Sequence, residues 1–393
     1  MKLIKKTKSI CPKCFKKISA DLYEHNNKII MKKSCKNHGY FSSIVEKNAI
    51  FYKSSQNIWK KQKIQPRTLI IPVTYKCNLN CRYCYLPDRK QKDIPLTKIK
   101  SLIKSSKHKT IGFSGGEPTL RKELQELIEY AKLQGKSTCI LSNCIKLSSL
   151  EYAKSLKNAG LDYALFSLNA LDDKIFEKIE GKPLLMLKKK AFKNAEKLKL
   201  KLILSFSWLK GINDSEFKKV FKLALKNNNF VHELRCRTYS MIGRHKNYEK
   251  PFLSDFASLL AKSTGIDYKE FIDYWPKSKM PANQYRYSIN YYDFIFNTKK
   301  ARKLKSSILK YPLYLIYLAK HLYLKNIIRI LYSKLAKKSC PFLIINLFKW
   351  PDKYDIDLSE HDICELDHYT LDNNISCFFD ALMKDEKIRN TKK

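Results

Sequence analysis

The middle of the chain alternates short apolar runs with longer segments in which apolar residues recur every three or four positions. The apolar runs TLIIPV, TIGFS, STCILS, DYALFS, KLILSFS and HELRC predict strands at 68–73, 110–114, 137–142, 162–167, 201–207 and 232–236. The periodic segments between them, such as RKELQELIEYAKLQ and SLEYAKSLKNA, predict helices, and Gly135 and Gly160 follow these two where a helix ends. Strands that alternate with helices pair in parallel through right-handed crossovers.

Six strand–helix units predict an α/β fold, a partial (β/α)6 barrel, because a closed barrel of this kind needs eight strands. In such folds, ligands bind at the carboxyl ends of the strands. The chain has only 10 glycines, yet Gly112, Gly115 and Gly116 fall together at the end of the second strand. This concentration indicates a place where the backbone needs freedom or where a ligand approaches it closely.

Two segments of different pattern flank this region. We expect a small metal-binding ribbon at 1–63, the barrel at 64–248 and a mainly helical extension at 249–393. In the extension, the run after Pro312 predicts an amphipathic helix whose basic stripe is formed by His321, Lys325 and Arg329. Such a helix usually packs on a core with its basic edge in solvent, and the alternative is contact with a membrane surface or a lipid substrate.

Composition changes this picture in two ways. The 393 residues carry a formal net charge of +42, which either attracts nucleic acid, membranes or acidic ligands or, as we favour, reflects a lysine-rich surface. Hydrophobic residues make up 44% of the chain and aromatic residues 12%, which argues against general disorder. The sequence contains no run of 18 apolar residues and no apolar signal segment. We therefore expect a cytoplasmic protein, with peripheral membrane contact as an option.

Three cysteines stand close together in the loop after the first predicted strand. Cys77, Cys81 and Cys84 have C-x3-C-x2-C spacing within CNLNCRYCY. Thiolates are the usual ligands of iron–sulfur clusters, and three of them leave one iron of a [4Fe–4S] cube open to a substrate or cofactor. The alternative interpretation is a partial zinc site whose fourth ligand lies elsewhere in the sequence.

This stretch, with Tyr83 before the last cysteine, resembles the signature of the radical S-adenosylmethionine (SAM) enzymes. FSGGEP, LSNC and FSLNA resemble the motifs of that family after its second, third and fourth strands. The resemblance implies that the three cysteines hold a [4Fe–4S] cluster and that SAM binds its open iron. SAM is then cleaved reductively to a 5′-deoxyadenosyl radical that removes a hydrogen atom from a substrate. A reduced flavodoxin or ferredoxin is the implied electron donor.

The same resemblance assigns side chains to the binding of SAM: Tyr83, Gly115, Gly116, Glu117, Asn143 and Ser167. Glu117 is expected to bind the methionine ammonium group, and Ser167 to approach the carboxylate or the ribose. Cys144 stands where the family usually has glycine. Cys236, at the end of the sixth predicted strand, is a candidate catalytic thiol that donates a hydrogen atom to a product radical. The alternative for Cys236 is a small buried hydrophobic residue.

Four further residues near the N-terminus have the spacing of a closed metal site. CPKC and CKNHG supply Cys11, Cys14, Cys35 and His38. Such a set favours structural zinc, and the alternative is iron in a one-electron relay of the rubredoxin type. The segment 1–63 contains 16 lysines against 3 acidic residues, which leaves a contact with nucleic acid open.

The N-terminal motif and the tail together resemble the tetraether lipid synthase-like and MoaA-like subgroup of the radical SAM family. This implies an apolar or lipid-like substrate, and it makes three further cysteines candidate ligands of an auxiliary cluster: Cys340, Cys364 and Cys377. The alternative is that these are ordinary buried thiols. Two other functions stay open, namely radical modification of a peptide or RNA, and a non-catalytic protein that binds metal and nucleic acid.

Overall fold

The N-terminal segment forms a small antiparallel sheet. In the computed structural model this sheet has the order β1-β2-β3-β4. The structure describes residues 1–56, 67–86, 89, 91–238, 249–265, 268–269, 284–290, 310–321, 342–348, 352–358, 366–369 and 375–377. Its strands are β1 (Lys2–Ile10), β2 (Lys17–His25), β3 (Lys28–Cys35) and β4 (Gly39–Glu46). The turn between β2 and β3 contains Asn26 and Asn27, both with positive φ, as a type I′ hairpin turn requires.

Alternation of residues along these strands gives the ribbon a buried face. Ala20 and Leu22 alternate with more exposed neighbours on β2, and they pack with Met31 and Val45 of the other strands. The helix α1 (Ala49–Gln56) covers one end of this face. The ribbon thus has an apolar cluster of its own, although a small one.

The barrel region forms the centre of a second sheet. Its strands pair in parallel and in chain order: β5 (Thr68–Thr74), β6 (Thr110–Gly115), β7 (Ser137–Ser142), β8 (Tyr163–Ser167), β9 (Lys201–Trp208) and β10 (Val231–Thr238). The helices between them are α2 (Leu96–Ser105), α3 (Leu124–Leu133), α4 (Leu150–Asn158), α5 (Asp173–Glu180), α6 (Leu185–Lys197) and α7 (Asp214–Lys226). All six predicted strands are confirmed, and the open parallel sheet with its helices is the expected partial barrel.

The C-terminal part adds strands to both edges of this sheet. They are β11 (Gln284–Asn290), β12 (Phe342–Phe348), β13 (Leu366–Tyr369) and β14 (Ile375–Cys377), and the full order is β11-β12-β10-β9-β8-β7-β6-β5-β13-β14. The strand β12 lies parallel to β10, and β13 lies parallel to β5. Our expectation of a mainly helical extension missed these strands.

The extension also contains helices α8 (Leu253–Thr264) and α9 (Tyr311–His321). The predicted helix after Pro312 therefore exists, but Lys325 and Arg329 of its expected basic stripe lie outside the described residues. Among the residues that the structure describes, none of the helices is both long and apolar enough to cross a membrane.

The ribbon is attached firmly to the barrel. Phe51 of α1 is 1% exposed within the main apolar core, and its ring lies 6.0 Å from that of Tyr268. The buried carboxylate of Glu46 accepts hydrogen bonds from the backbone N–H and the hydroxyl of Ser254, at the start of α8. Packing and polar contacts thus fix the ribbon beside α8.

Candidate active site and metal centre

A cleft opens at the carboxyl ends of the parallel strands. It encloses about 890 Å³ of space, part of it open to solvent. Cys77, Cys81 and Cys84 line this cleft. So do all six residues that the resemblance assigned to SAM: Tyr83, Gly115, Gly116, Glu117, Asn143 and Ser167. The structure therefore brings together, in one place, motifs that are spread over about 90 residues of sequence.

The thiols in the loop after β5 are in a partly buried environment. Burial raises the pKa of the Cys77 thiol. Burial and then the negative charge of Glu180 raise the pKa of Cys81 well above its ordinary range. Thiolates at these positions need a positive charge beside them, and the iron ions of a cluster supply such a charge. The donor set and its surroundings therefore fit a bound iron–sulfur cluster.

The three sulfur atoms of the cleft do not form a compact site for a single metal ion. A compact metal site needs three or more His, Cys, Asp or Glu side chains whose ligand atoms all lie within 4.8 Å of one another. Among the described residues, one such group exists, and it is in the N-terminal ribbon. The sulfurs of Cys77, Cys81 and Cys84 are hence more widely spread than the ligands of a single ion. A cube in which each thiolate binds a different iron needs such a spread.

The two glycines before Glu117 allow the strand end to lie against the cysteine loop. A Cβ atom on Gly115 would lie 1.9 Å from the carbonyl oxygen of Thr74, and one on Gly116 would lie 2.2 Å from that of Lys76. Their backbones are joined to the same segment, because the N–H of Gly116 donates to Thr74 O at 2.7 Å and that of Glu117 donates to Lys76 O at 2.8 Å. Only glycine fits this close approach.

The carboxylate of Glu117 is held by several donors. Its Oε1 accepts from the Thr119 N–H at 3.0 Å, the Thr119 hydroxyl at 2.7 Å and the Ser142 hydroxyl at 2.7 Å. Its Oε2 accepts from the Asn143 N–H at 2.8 Å. With a single hydrogen bond, Oε2 keeps acceptor capacity for an ammonium group, and Glu117 lines the cleft.

Asn143 connects the end of β7 to the cysteine loop. Its side-chain amide donates to Asn78 Oδ1 at 2.8 Å, and its own Oδ1 accepts from the Ile145 N–H at 2.9 Å. Its carbonyl accepts from Lys188 Nζ at 2.7 Å. Asn143 is thus a rigid support between two motifs of the cleft. The next residue, Cys144, has φ of 59°, which is the left-handed conformation that glycine adopts without strain.

A buried polar network lies behind Tyr83. The side-chain amide of Asn169 donates to the hydroxyl of Tyr83 and to Glu180 Oε1, the latter at 2.7 Å. Burial, and then the charge of Glu180, raises the pKa of Tyr83 well above its ordinary range. Asn169 also ties β8 to β9, because its Oδ1 accepts from the Ser207 N–H at 2.6 Å. The network fixes the aromatic residue of the cysteine motif.

The four N-terminal residues form a compact second site. Cys14 Sγ lies 3.9 Å from Cys35 Sγ, and His38 Nδ1 lies 3.6 Å from Cys11 Sγ and 3.5 Å from Cys35 Sγ. A tetrahedral zinc ion with ordinary bond lengths places two sulfurs about 3.8 Å apart, and a sulfur and a nitrogen about 3.6 Å apart. The side chains are therefore already at the distances of a zinc site.

Backbone turns hold these ligands. The N–H of Phe15 donates to Cys11 O at 2.9 Å between β1 and β2, and the N–H of His38 donates to Cys35 O at 3.1 Å between β3 and β4. Burial acts to raise the pKa of Cys11, but hydrogen bonds from the backbone at Cys14 and Lys13 outweigh it and lower this pKa. A thiol of this kind loses its proton readily to a metal ion.

Two family models match the chain. One describes the radical SAM superfamily and matches residues 71–224, and the other describes the HMPTM N-terminal zinc ribbon domain and matches residues 3–47. The chain carries a radical SAM domain. A zinc ribbon precedes this domain, and the radical SAM family implies a [4Fe–4S] cluster and SAM as cofactors.

The chain is similar to two curated proteins over part of their length. It is 30% identical over 311 residues to the 7,8-dihydro-6-hydroxymethylpterin dimethyltransferase of Methanocaldococcus jannaschii, which is 69% of this chain and 61% of that protein. It is 33% identical over 165 residues to a probable GTP 3′,8-cyclase of Pyrococcus abyssi, which is 41% of this chain and 53% of that protein. The chain thus spans less than two thirds of either relative.

Among solved structures, the crystal structure of Streptococcus suis SuiB bound to precursor peptide SuiA matches with a TM-score of 0.43 and 15% identity. This match covers 65% of the present chain and 69% of that one.

The cleft and the layer beneath it contain residues that sequence analysis did not single out. Arg237, at the end of β10, donates from Nε to the hydroxyl of Ser207 at 3.0 Å, and both side chains line the cleft. Burial lowers the pKa of Arg237. Lys188 of α6 is 1% exposed and donates to Asn143 O and to Ser167 O, the latter at 2.6 Å. Arg237 and Ser207 were detectable from their positions at strand ends, whereas Lys188 carries no local signal.

Other candidates lie elsewhere. Cys236 is fully buried and is not among the residues that line the cleft, and burial raises its pKa well above the ordinary range. Its expected role in catalysis therefore has no support from the position of its side chain. Cys340 and Cys364 lie outside the described residues, and so does the side chain of Cys377 at the end of β14. The auxiliary cluster stays a prediction.

Proposed function

We propose that this chain is a radical SAM enzyme. In this proposal the cysteine loop would hold a [4Fe–4S] cluster that supplies one electron to bound SAM. Reductive cleavage of SAM would give methionine and a 5′-deoxyadenosyl radical, and this radical would become 5′-deoxyadenosine by taking a hydrogen atom from a substrate, which is left as a radical. The observation that carries the proposal is the single cleft in which the three-cysteine loop, the Gly-Gly-Glu segment and Asn143 meet at the strand ends.

The residues of the cleft have separate parts in this proposal. Cys77, Cys81 and Cys84 hold the cluster, which supplies the electron when it is bound. Glu117 binds the ammonium group of SAM through Oε2, and its three bonds at Oε1 fix the carboxylate in that orientation. Arg237 places a positive charge at the end of β10, the last of the six parallel strands, whereas the cysteine loop follows β5, the first. Leucines on the cleft walls exclude water from a reactive radical.

The electron comes from an external donor in this proposal, either reduced flavodoxin or reduced ferredoxin. The net charge of +42 favours the approach of an acidic partner. We place the enzyme in the reducing cytoplasm, where free thiols persist.

We propose an apolar or lipid-like substrate. The helix α9 supports this, because it exposes a series of apolar side chains: Tyr311, Leu313, Leu315 and Ile316, which are 49%, 55%, 52% and 52% exposed. Such a surface suits the alkyl chain of a lipid taken up by peripheral contact with a membrane. The resemblance of the N-terminal motif and the tail to the tetraether lipid synthase-like subgroup, drawn from the sequence alone, was the first reason for this proposal.

A second candidate is a reduced pterin. It is favoured by one observation, namely the similarity over 311 residues to a protein named as a hydroxymethylpterin dimethyltransferase. The two candidates differ in the position of the hydrogen that the radical removes, so isotope transfer separates them.

The proposed activity is tested with anaerobically reconstituted protein, dithionite and SAM. We expect formation of 5′-deoxyadenosine and methionine, and we expect the Cys81→Ala variant to form neither. The matched control is Cys139→Ala, because Cys139 is a buried thiol outside the lining of the cleft. Continued formation of 5′-deoxyadenosine by Cys81→Ala, at the rate of the control, would contradict the proposal.

The substrate is tested by offering two deuterated compounds separately. One is a phospholipid with perdeuterated alkyl chains, and the other is a deuterated dihydropterin. Deuterium in the 5′-deoxyadenosine from the lipid sample supports the apolar substrate, and deuterium only from the pterin sample supports the second candidate. Transfer from neither compound would overturn both.

A further inference from the structure

The cysteine loop continues directly into a small apolar cluster that includes the zinc ribbon. Tyr85, which follows Cys84, lines the cleft and also packs against the buried pair of Ile10 and Ile356, as does Phe15 of the ribbon. Ile356 and Leu358, from the segment 352–358, complete the cluster. We call these five residues the loop seat. The loop seat joins three parts of the chain that are far apart in sequence.

The ribbon side of the loop seat is formed by residues beside metal ligands. Ile10 precedes Cys11, and Phe15 follows Cys14. The φ of Phe15 is 60°, a conformation that a bulky residue adopts only when its surroundings impose it. The hydrogen bond from the Phe15 N–H to the carbonyl of Cys11 helps to impose this conformation. A metal ion at this site therefore also fixes the positions of Ile10 and Phe15.

The segment 352–358 is bound tightly along the ribbon. Alternate residues of β1 face it: Lys5 and Thr7 bond to the carboxylate of Asp357, at 2.9 and 2.5 Å, and the hydroxyl of Ser9 donates to Ile356 O at 2.7 Å. Because successive side chains of a strand point to opposite faces, these three contacts lie on one face of β1. They hold Ile356 against Ile10.

A second set of contacts ties this segment to the barrel. Lys250, just before α8, lies 2.6 Å from Asp355 Oδ2 and 3.1 Å from Asp352 Oδ2, and it donates to the carbonyl of Ile44 on β4 at 3.2 Å. Burial acts to lower the pKa of Lys250, but the two aspartates outweigh it and raise this pKa. One partly buried cation thus joins the barrel, the segment and the ribbon, and it restrains the loop seat relative to the cleft.

We propose that the zinc ribbon supports the cluster-binding loop through the loop seat: metal in the ribbon fixes Ile10 and Phe15, these fix Tyr85, and Tyr85 positions Cys84. The proposal rests on the proposed function in one respect, since it takes Cys84 to be a cluster ligand. It gives the ribbon a role in the retention of the cluster, in addition to the stability of the ribbon itself.

The test compares the release of iron to a ferrous chelator from full-length, reconstituted variants. We expect Ile356→Ala and Tyr85→Ala to release iron about tenfold faster than the wild type, because a loss of roughly 1.4 kcal/mol in loop stability corresponds to a factor of ten. Ile356 neither lines the cleft nor adjoins a metal ligand, so its effect must pass through the loop seat. The control is Tyr354→Ala, since Tyr354 is in the same segment but is 43% exposed.

Two further measurements complete the experiment. Zinc is assayed in the same samples, and we expect one ion per chain in every variant. The double variant Ile356→Ala with Tyr85→Ala should release iron no faster than Tyr85→Ala alone, because both changes remove the same contact. The proposal would be overturned if the effects of the two changes on the rate of iron release multiplied in the double variant. It would also be overturned if Ile356→Ala released iron at the wild-type rate.

Hydrogen exchange separates this proposal from the proposed function. Wild-type protein that takes up no iron contradicts the proposed function. In that case the amide exchange of residues 81–86 still tests the loop seat, since we expect it to be faster in Ile356→Ala and unchanged in Tyr354→Ala. Equal amide exchange of residues 81–86 in these two variants would contradict the inference, whether or not a cluster is bound.

Discussion

Glu180 Oε2 lies 3.9 Å from Lys188 Nζ, and both side chains are only 1% exposed. Among the described residues this oxygen has no hydrogen-bond partner, so the lysine is its main compensation. The amine also binds the carbonyls that end β7 and β8. This buried pair therefore stabilises the floor of the cleft, at the junction of two motifs.

Replacement of Lys188 by Met should lower the free energy of unfolding by about 3–5 kcal/mol, because it leaves the Glu180 carboxylate buried without its counter-charge. Denaturant unfolding measures this loss. The control is Lys190→Met on the exposed side of the same helix, with an expected change within about 0.5 kcal/mol. Equal stability of the two variants would show that the pair is unimportant.

Gly116→Ala should prevent stable binding of the cluster and of SAM, because the added Cβ meets the Lys76 carbonyl of the cysteine loop at 2.2 Å. Gly135→Ala is the matched control: a Cβ there meets nothing within 4 Å, although the φ of 69° adds strain of about 1–2 kcal/mol. Iron content and SAM binding are measured after reconstitution. The prediction fails if Gly116→Ala retains the iron and SAM affinity of the control.

Glu117→Gln should weaken the binding of SAM about tenfold to a hundredfold. The neutral amide loses a charged hydrogen bond, which contributes roughly 1.5–3 kcal/mol, and its NH2 group faces donors in either orientation. Equilibrium binding to reconstituted protein gives the Kd. Glu126→Gln, at an exposed ion pair with Lys100, should bind SAM like the wild type. An unchanged Kd for Glu117→Gln would remove this residue from the binding site.

His38→Ala should weaken zinc binding at least tenfold, because it removes one of four ligands whose atoms are already at tetrahedral distances. Competition with a chromogenic chelator measures the affinity. His25→Ala is the control, since His25 is an exposed histidine of the same ribbon. Zinc held equally tightly by both variants would mean that the fourth ligand lies elsewhere.

Burial raises the pKa of Cys139 from the ordinary 9.0 to about 11. The folded state thus holds the proton of this thiol more tightly than the unfolded state, so this group loses its stabilising effect as the pH rises from about 9 to 11. The slope is at most roughly 1.4 kcal/mol per pH unit. Unfolding of wild type and Cys139→Ala across this range should show a shallower decline for the variant. Parallel declines would contradict the assigned cause.

The strands that sequence analysis predicted correctly have local signals, and so do the cysteines that it singled out. The run LIIPV is apolar throughout because both faces of β5 are covered, and Cys77, Cys81 and Cys84 stand out by their close spacing. A close approach of backbones also requires glycine, so Gly115 and Gly116 marked the strand end in a chain with only 10 glycines.

The features that were missed depend on partners distant in sequence. The strands β13 and β14 have 4 and 3 residues, too few for a periodic pattern, and β13 exists because it pairs with β5. Lys188 is one of three consecutive lysines, and only the fold decides which of them is buried. The interpretation of 249–393 as mainly helical did not include these strands, because it considered local patterns alone.

The contact between β1 and the segment 352–358 has a consequence for biosynthesis. A ribosome completes the N-terminal ribbon early, yet Thr7 and Ser9 find their partners only after more than 350 residues have been translated. Domains usually fold one after another as the chain emerges. Here the first module keeps a polar face without its partner until residues 356 and 357 have been translated, so nascent chains arrested before residue 352 should be the species that chaperones bind and proteases cut.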